Sequence, residues 1–221
     1  MATLRPVAQL DTHEVINQPL PFENVNLFTS DCALGEAVAR AGGKPHLKHL
    51  SALGARTGSA EVVGWGVEAN RQLPVLDTFD RFGQRIDEVT FHPAYHQLMA
   101  LGLESGFASI AWNTGSAGHV AHTGIVFLTT QADSGTSCPM TMTYAAVPAL
   151  RAQPDVAEQW VPRILAGHYD PAVRPASEKK GVTIGMAMTE KQGGSDVRAN
   201  TTRAQPAAED GWYRLTGHKW F

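Results

Sequence analysis

Two adjacent glycines flanked by hydroxyls, at the end of an apolar run, are the residues best placed to do chemistry: Met186-Ala187-Met188-Thr189-Glu190-Lys191-Gln192-Gly193-Gly194-Ser195-Asp196. Paired glycines remove the Cβ barrier to unusual backbone angles and let amide N–H groups face an anion or a ring edge unobstructed. Thr189 and Ser195 add a hydroxyl on either side. Gly-Gly-Ser-Asp is also ordinary turn composition, so local reading leaves two alternatives open, a plain turn or the wall of a cofactor site.

Other reactive residue types give weaker signals. His92 and His96 are spaced i, i+4 and His119 and His122 i, i+3, spacings that can hold a metal. Neither pair has a third ligand nearby in sequence, so core or interface histidines are expected and no metal site. Met140, Met142 and Tyr144 could line an apolar pocket, although a Met-rich helix commonly serves as adaptable core packing. Cys32 and Cys138 are far apart with no C-x-x-C spacing, which points to a reduced, cytoplasmic protein. Eighteen Lys and Arg against 21 Asp and Glu give a net charge of −3, too little basic surface for these residues to hold nucleic acid by themselves. No segment approaches the roughly 18 uninterrupted apolar residues of a membrane span, and the N-terminus lacks a signal-peptide core.

The elements that must position these residues begin with residues 1–30, whose scattered Pro and Asn predict an extended arm. Ser30-Asp31 is a helix cap, and Leu34, Val38 and Ala41 continue a helix that Gly42-Gly43 stops. Further helices are expected from Pro45, from Ser59, from His92-Pro93, over Ala117 to Gln131, over Cys138 to Arg151 and over Asp155 to Leu165. Pro148 is expected to bend or end the helix that contains it. Residues 74–90 read as irregular, with 82–91 a short strand or a loop. At Gly181 the period changes from about 3.6 to about 2, and Val182, Ile184, Met186 and Met188 alternate as in a strand. Ala199 to Ala204 and Trp212 to Thr216 are strand-like around a Glu209-Asp210-Gly211 turn. The expectation is an α+β chain: an arm at 1–30, an all-α domain at 31–180, and the start of an antiparallel β-domain at 181–221. Three antiparallel strands cannot close a sheet, so the chain reads as the front part of a longer protein.

Ala187 through Asp196 resembles the signature of the acyl-CoA dehydrogenase family: small, apolar, Ser or Thr, Glu, two variable positions, small, Gly-Ser-Asp. Gly217-His218-Lys219 resembles that family's next landmark. The likeness is greatest to the AidB-type adaptive-response branch, through Asn17-Gln18-Pro19, Asn26-Leu27 with Ser30-Asp31, Phe91 through His96, Cys138 through Thr143, Asn200 through Ala204 and Gly217 through Phe221.

The resemblance implies an FAD-binding homotetramer that oxidises the CH–CH bond of an acyl-CoA thioester. By similarity Met186, Met188 and Thr189 would lie along the flavin ring, with Trp220 and Phe221 packed against it. Gly193, Gly194 and Ser195 would approach the pyrophosphate, and Thr189 and Ser195 the thioester channel. The catalytic base is expected beyond Phe221, and Glu190 is expected to be structural. DNA protection, associated with the AidB-type branch, would rest on regions absent here. Two other readings stay open: a DNA-protecting binder with vestigial dehydrogenation, and a non-catalytic helical assembly.

Overall fold

A computed structural model describes residues 9–220, apart from the side chain of Ser116. Its helices are α1 (Cys32–Arg40), α2 (Leu47–Thr57), α3 (Ala60–Arg71), α4 (Pro93–Glu104), α5 (Ile110–Asn113), α6 (Gly118–Ala132), α7 (Ser137–Arg151) and α8 (Pro154–Ile164). The strands are β1 (Val75–Phe79), β2 (Arg85–Thr90), β3 (Arg203–Pro206) and β4 (Tyr213–Thr216). The class is α+β, a helical unit with small antiparallel ladders, as the sequence implies.

The helix starts follow capping chemistry. Asp31 accepts the Leu34 amide at 2.9 Å to open α1, and Ser59 accepts that of Val62 at 3.3 Å to open α3. His92 caps α4 through Nδ1, which accepts the Ala94 amide, and Pro93 fills the first helical position. The apolar faces converge on one core in which Leu50, Met99, Phe107, Ile125, Leu128, Met140 and Val147 are fully buried. Burying each such side chain contributes about 1.5–3 kcal/mol. The arm is anchored here as well, because Leu27 and Phe28 are buried and the Leu27 amide donates to the Gly54 carbonyl at 3.1 Å.

Pro148 neither ends nor interrupts α7. Its missing N–H leaves the Tyr144 carbonyl without a helical donor, and the indole Nε1–H of Trp112 donates to that carbonyl at 3.2 Å. A side chain from a neighbouring element thus supplies the bond that proline removes.

Residues 74–90 are not irregular. β1 and β2 form an antiparallel hairpin, pairing Val75 with Thr90 and Asp77 with Glu88. Asp80 closes its turn by accepting the Phe82 and Gln84 amides, and Gly83 takes a φ of +79°. Val75, Leu76, Phe79, Ile86 and Val89 are all exposed, so the pair is held by its own ladder and no buried face imposes alternation on the sequence.

The strand expected from Val182 to Met188 is also absent. The segment is extended, but its donors go to the helices: Val182 to the Arg163 carbonyl, Ile184 to Thr143 Oγ1 at 3.0 Å and Met186 to Met142 Sδ at 3.4 Å. With no strand beside it there is no ladder, so β3 and β4 form a two-stranded pair rather than the expected three. β3 begins at Arg203, after a single helical turn at Val197–Ala199 capped by Asp196. The hairpin turn at Glu209 to Gly211 forms as expected, with Gly211 at φ +81°.

Candidate functional site

One buried carboxylate organises the glycine-rich segment. Glu190 Oε2 accepts from the Thr201 amide at 2.8 Å, the Thr201 hydroxyl at 3.1 Å and the Gln192 side-chain amide at 2.6 Å. Its Oε1 accepts from the Thr202 amide at 2.9 Å and from Lys219 Nζ at 3.2 Å. The Thr201 N–H is the first of the groups that hold this carboxyl far below the usual carboxylate range. A side chain so committed is a fixed anion that ties three stretches together and is unsuited to accept a proton.

Further bonds complete the junction. Lys219 Nζ also donates to the Met188 carbonyl at 3.1 Å, as does Asn200 Nδ2 at 2.8 Å. The Trp220 amide donates to the Thr189 carbonyl at 2.9 Å, and the Lys191 amide to His218 Nε2 at 3.0 Å. Residues 188–192, 200–202 and 218–220 are thus locked side by side, although they are far apart in sequence. Gly217 is required at this crossing, since a Cβ there would lie 2.3 Å from Thr202 Oγ1.

The junction presents two concavities. Met142, Met186, Ala187, Met188, Thr189 and Trp220 line a groove of about 310 Å³. Met186, Met188 and Trp220 keep 45%, 58% and 49% of their surface exposed, an unusual cost for three large apolar side chains on one groove. Lys191 Nζ lies 4.7 Å from the centre of the Trp220 ring, which brings a cation to the apolar wall. Gln192, Gly193, Gly194, Ser195, Asp196 and Ala199 line a second concavity of about 260 Å³. Gly194 is needed where the two meet, because a Cβ there would sit 2.9 Å from the Thr189 hydroxyl. The pair can accept a flat ring system on the Met and Trp surface and a charged extension on the glycine turn. Asn200 Oδ1, beside the Met188 carbonyl, is buried without a hydrogen-bond partner.

The fold gathers most of the residues expected at the site into two adjoining hollows. Met186, Met188, Thr189 and Trp220 share the groove, while Gly193, Gly194 and Ser195 line the second concavity, so Thr189 and Ser195 occupy different hollows. Phe221 lies outside the described residues. Of Met140, Met142 and Tyr144, only Met142 reaches the groove. Met140 is buried in the core, and the Tyr144 ring stacks on His122 with centroids 3.8 Å apart. The signal for Met142 is its helical offset from Met140, legible once a second segment is known to run along α7.

The histidines are engaged in the helical unit. His122 Nδ1 pairs with the Phe107 carbonyl at 2.7 Å, His119 Nδ1 with the Tyr144 hydroxyl at 2.9 Å and His96 Nδ1 with the Tyr169 hydroxyl at 2.7 Å. Burial lowers the pKa of His122 and of His96, so both are neutral at pH 7. Among the described residues no three His, Cys, Asp or Glu side chains are grouped to hold a metal. Nor is any helix there long and apolar enough to cross a membrane.

Two solved structures share this architecture. Caenorhabditis elegans ACDH-11 in complex with C11-CoA superposes with a TM-score of 0.71 at 26% identity, covering 97% of this chain and 37% of that one. Bd2924 in its apo form superposes with a TM-score of 0.73 at 30% identity, covering 90% of this chain and 40% of that one. These neighbours place the helical unit and its small sheet with the acyl-CoA dehydrogenases. The chain belongs to the AidB family, since the model of the adaptive response protein AidB N-terminal domain matches residues 17–171. It is 45% identical to AidB of Escherichia coli (strain K12) over 213 residues, 95% of this chain and 39% of that protein. Identity to acyl-CoA dehydrogenase family member 11 of C. elegans is 31% over 175 residues, 78% of this chain and 28% of the relative. The chain thus spans less than half the length of either relative.

Proposed function

We propose that this chain supplies one wall of an FAD site in an acyl-CoA dehydrogenase-like protein of the AidB branch. The observation that carries the reading is the convergence of Met142, Met186, Met188, Thr189 and Trp220 on one groove beside the Gly193-Gly194-Ser195 hollow. In this reading residues 1–30 are an arm, 31–180 the N-terminal helical domain and 181–221 the opening of the middle β-domain.

Bound FAD would supply a hydride acceptor for oxidation of the CH–CH bond of an acyl-CoA. The three methionines and Trp220 would exclude water from the ring and from the acyl chain. The Thr189 hydroxyl would donate to the polar edge of the ring, and the amides of Gly194 and Ser195 would meet the pyrophosphate, while the Gly193 amide donates to the Glu190 carbonyl at 3.0 Å and so fixes the turn. Ser195 adds a hydroxyl on the thioester side. Glu190 holds these groups in place and does not abstract the α-proton; that base, a carboxylate, comes from outside these 221 residues. The acidic balance of these residues argues that any DNA contact is made by other regions of a cytoplasmic homotetramer.

Addition of a short branched acyl-CoA under anaerobic conditions to the flavin-loaded protein, at the relatives' length, should bleach the visible flavin absorbance. Flavin that stays coloured with acyl-CoA bound would instead favour a DNA-protecting binder with vestigial dehydrogenation.

A further inference from the structure

Between α8 and the glycine-rich segment, residues 168–183 fold back against α4 as a loop whose ends touch. Gly181 is buried, and a Cβ on it would lie 1.9 Å from the His168 carbonyl oxygen, so only glycine permits the crossing. A loop of this length with joined ends is a compact Ω-type unit packed by its own side chains. Between it and α4 lies a cavity of about 410 Å³ that shares no residue with the Met142–Trp220 groove.

The lining of this cavity divides by chemistry. Phe91, Met99, Leu103 and Val182 make an apolar floor, while His96, His168, Tyr169, Asp170, Arg174 and Lys179 bring polar groups to it. Asp170 is already answered: Arg174 and the amides of Ala172 and Lys180 donate to it, and these bonds, that of Arg174 first, hold its carboxyl at about 2. His96 and Tyr169 are joined at 2.7 Å, and burial keeps both neutral at pH 7. His168 reaches Glu104 at 4.0 Å. Lys179 is half-buried, and no carboxylate among the described residues lies within ion-pair distance of it. One ammonium without a counter-charge at an apolar cavity is an electrostatic cost that a single anion would remove.

We infer that this cavity binds a small amphiphile with one carboxylate head, held by Lys179 and the His96–Tyr169 pair, and a short aliphatic tail laid on Met99 and Leu103. Tyr169 donating to His96 Nδ1 leaves Nε2–H as a second donor for the head. With Arg174 paired to Asp170, the one unpaired cation among the described lining residues selects a carboxylate over a phosphate dianion, and the apolar floor selects a tailed acid over acetate.

The test is titration of the 221-residue chain, carrying 13C-methyl methionine, with octanoate, 1-octanol and acetate. Octanoate should shift the Met99 methyl saturably and leave Met142, Met186 and Met188 in place, with octanol and acetate at least about tenfold weaker. Lys179→Met, at a side chain with no ion-pair partner among the described residues, should weaken octanoate at least about tenfold and leave octanol unchanged, and Lys179→Arg should restore the affinity. Equal binding of octanoate and octanol would overturn the inference. So would octanoate shifts confined to the groove methionines, or no saturable shift at Met99.

Discussion

Glu190 shows how a charged residue inside a signature motif can serve geometry alone. Its oxygens take five hydrogen bonds from Thr201, Thr202, Gln192 and Lys219, contacts that lie 2 to 29 residues downstream. No spacing rule connects such positions, so the motif was visible in the sequence and the knot that shapes it was not. In Glu190→Ala the Thr201 and Thr202 amides lose their acceptor, and their hydrogen exchange should accelerate by an order of magnitude or more, ~10-fold, while the α6 core amides keep their protection. Because the folded-state pKa of Glu190 is depressed, its contribution is present above the unfolded value near 4.3 and is lost only as pH falls well below it. The 188–220 junction should accordingly stay protected down to about pH 4.3. Gly194 is tested differently, since Gly194→Ala places a methyl against the Thr189 hydroxyl. The variant should fold normally and bind FAD about tenfold more weakly, as read by flavin fluorescence quenching.

At the scale of elements, α1, α3 and α4 were legible because each carries its own start signal, Asp31, Ser59 and His92-Pro93 in turn, whereas the four-residue α5 has no capping side chain and was not legible. The β1–β2 hairpin was not, because its two faces are exposed and no buried side writes alternation into Val75–Phe79 or Arg85–Thr90. Residues 182–188 fail in the opposite sense: the alternation is there but no strand lies alongside, and the amides turn to Thr143 and Met142. Packing between elements gives two expectations. A Cβ at Gly58 would lie 1.9 Å from the Val25 carbonyl oxygen, so Gly58→Ala must lift the arm from the end of α2. Denaturant unfolding should show a loss of about 1–3 kcal/mol. His122 sits between the Phe107 carbonyl and the Tyr144 ring, buried, with its pKa lowered first by desolvation. The unfolded chain then binds a proton that the folded one refuses, so stability is full above the unfolded value near 6.5 and falls as pH drops through it. A thermal melt series should show this decline, shallower in His122→Phe.

At the scale of the whole molecule, the α+β order was within reach of the sequence through its change of period, and the family through the resemblance of Ala187 to Asp196 and of Gly217-His218-Lys219 to its signature. What lay beyond it was three-dimensional: Met142 joining the groove from α7, and Thr189 and Ser195 facing separate hollows. The chain covers 39% of E. coli AidB, and the proposed flavin site has one wall in this chain and its facing wall in residues outside it. The most direct test is an FAD titration, by visible absorbance, of residues 1–221 beside a chain of the relatives' length. The longer protein should bind FAD stoichiometrically and lose most of that affinity in Trp220→Ala, while residues 1–221 bind it poorly. A longer protein that stays colourless after FAD addition would contradict the account, and tight stoichiometric binding by residues 1–221 alone would overturn its facing wall.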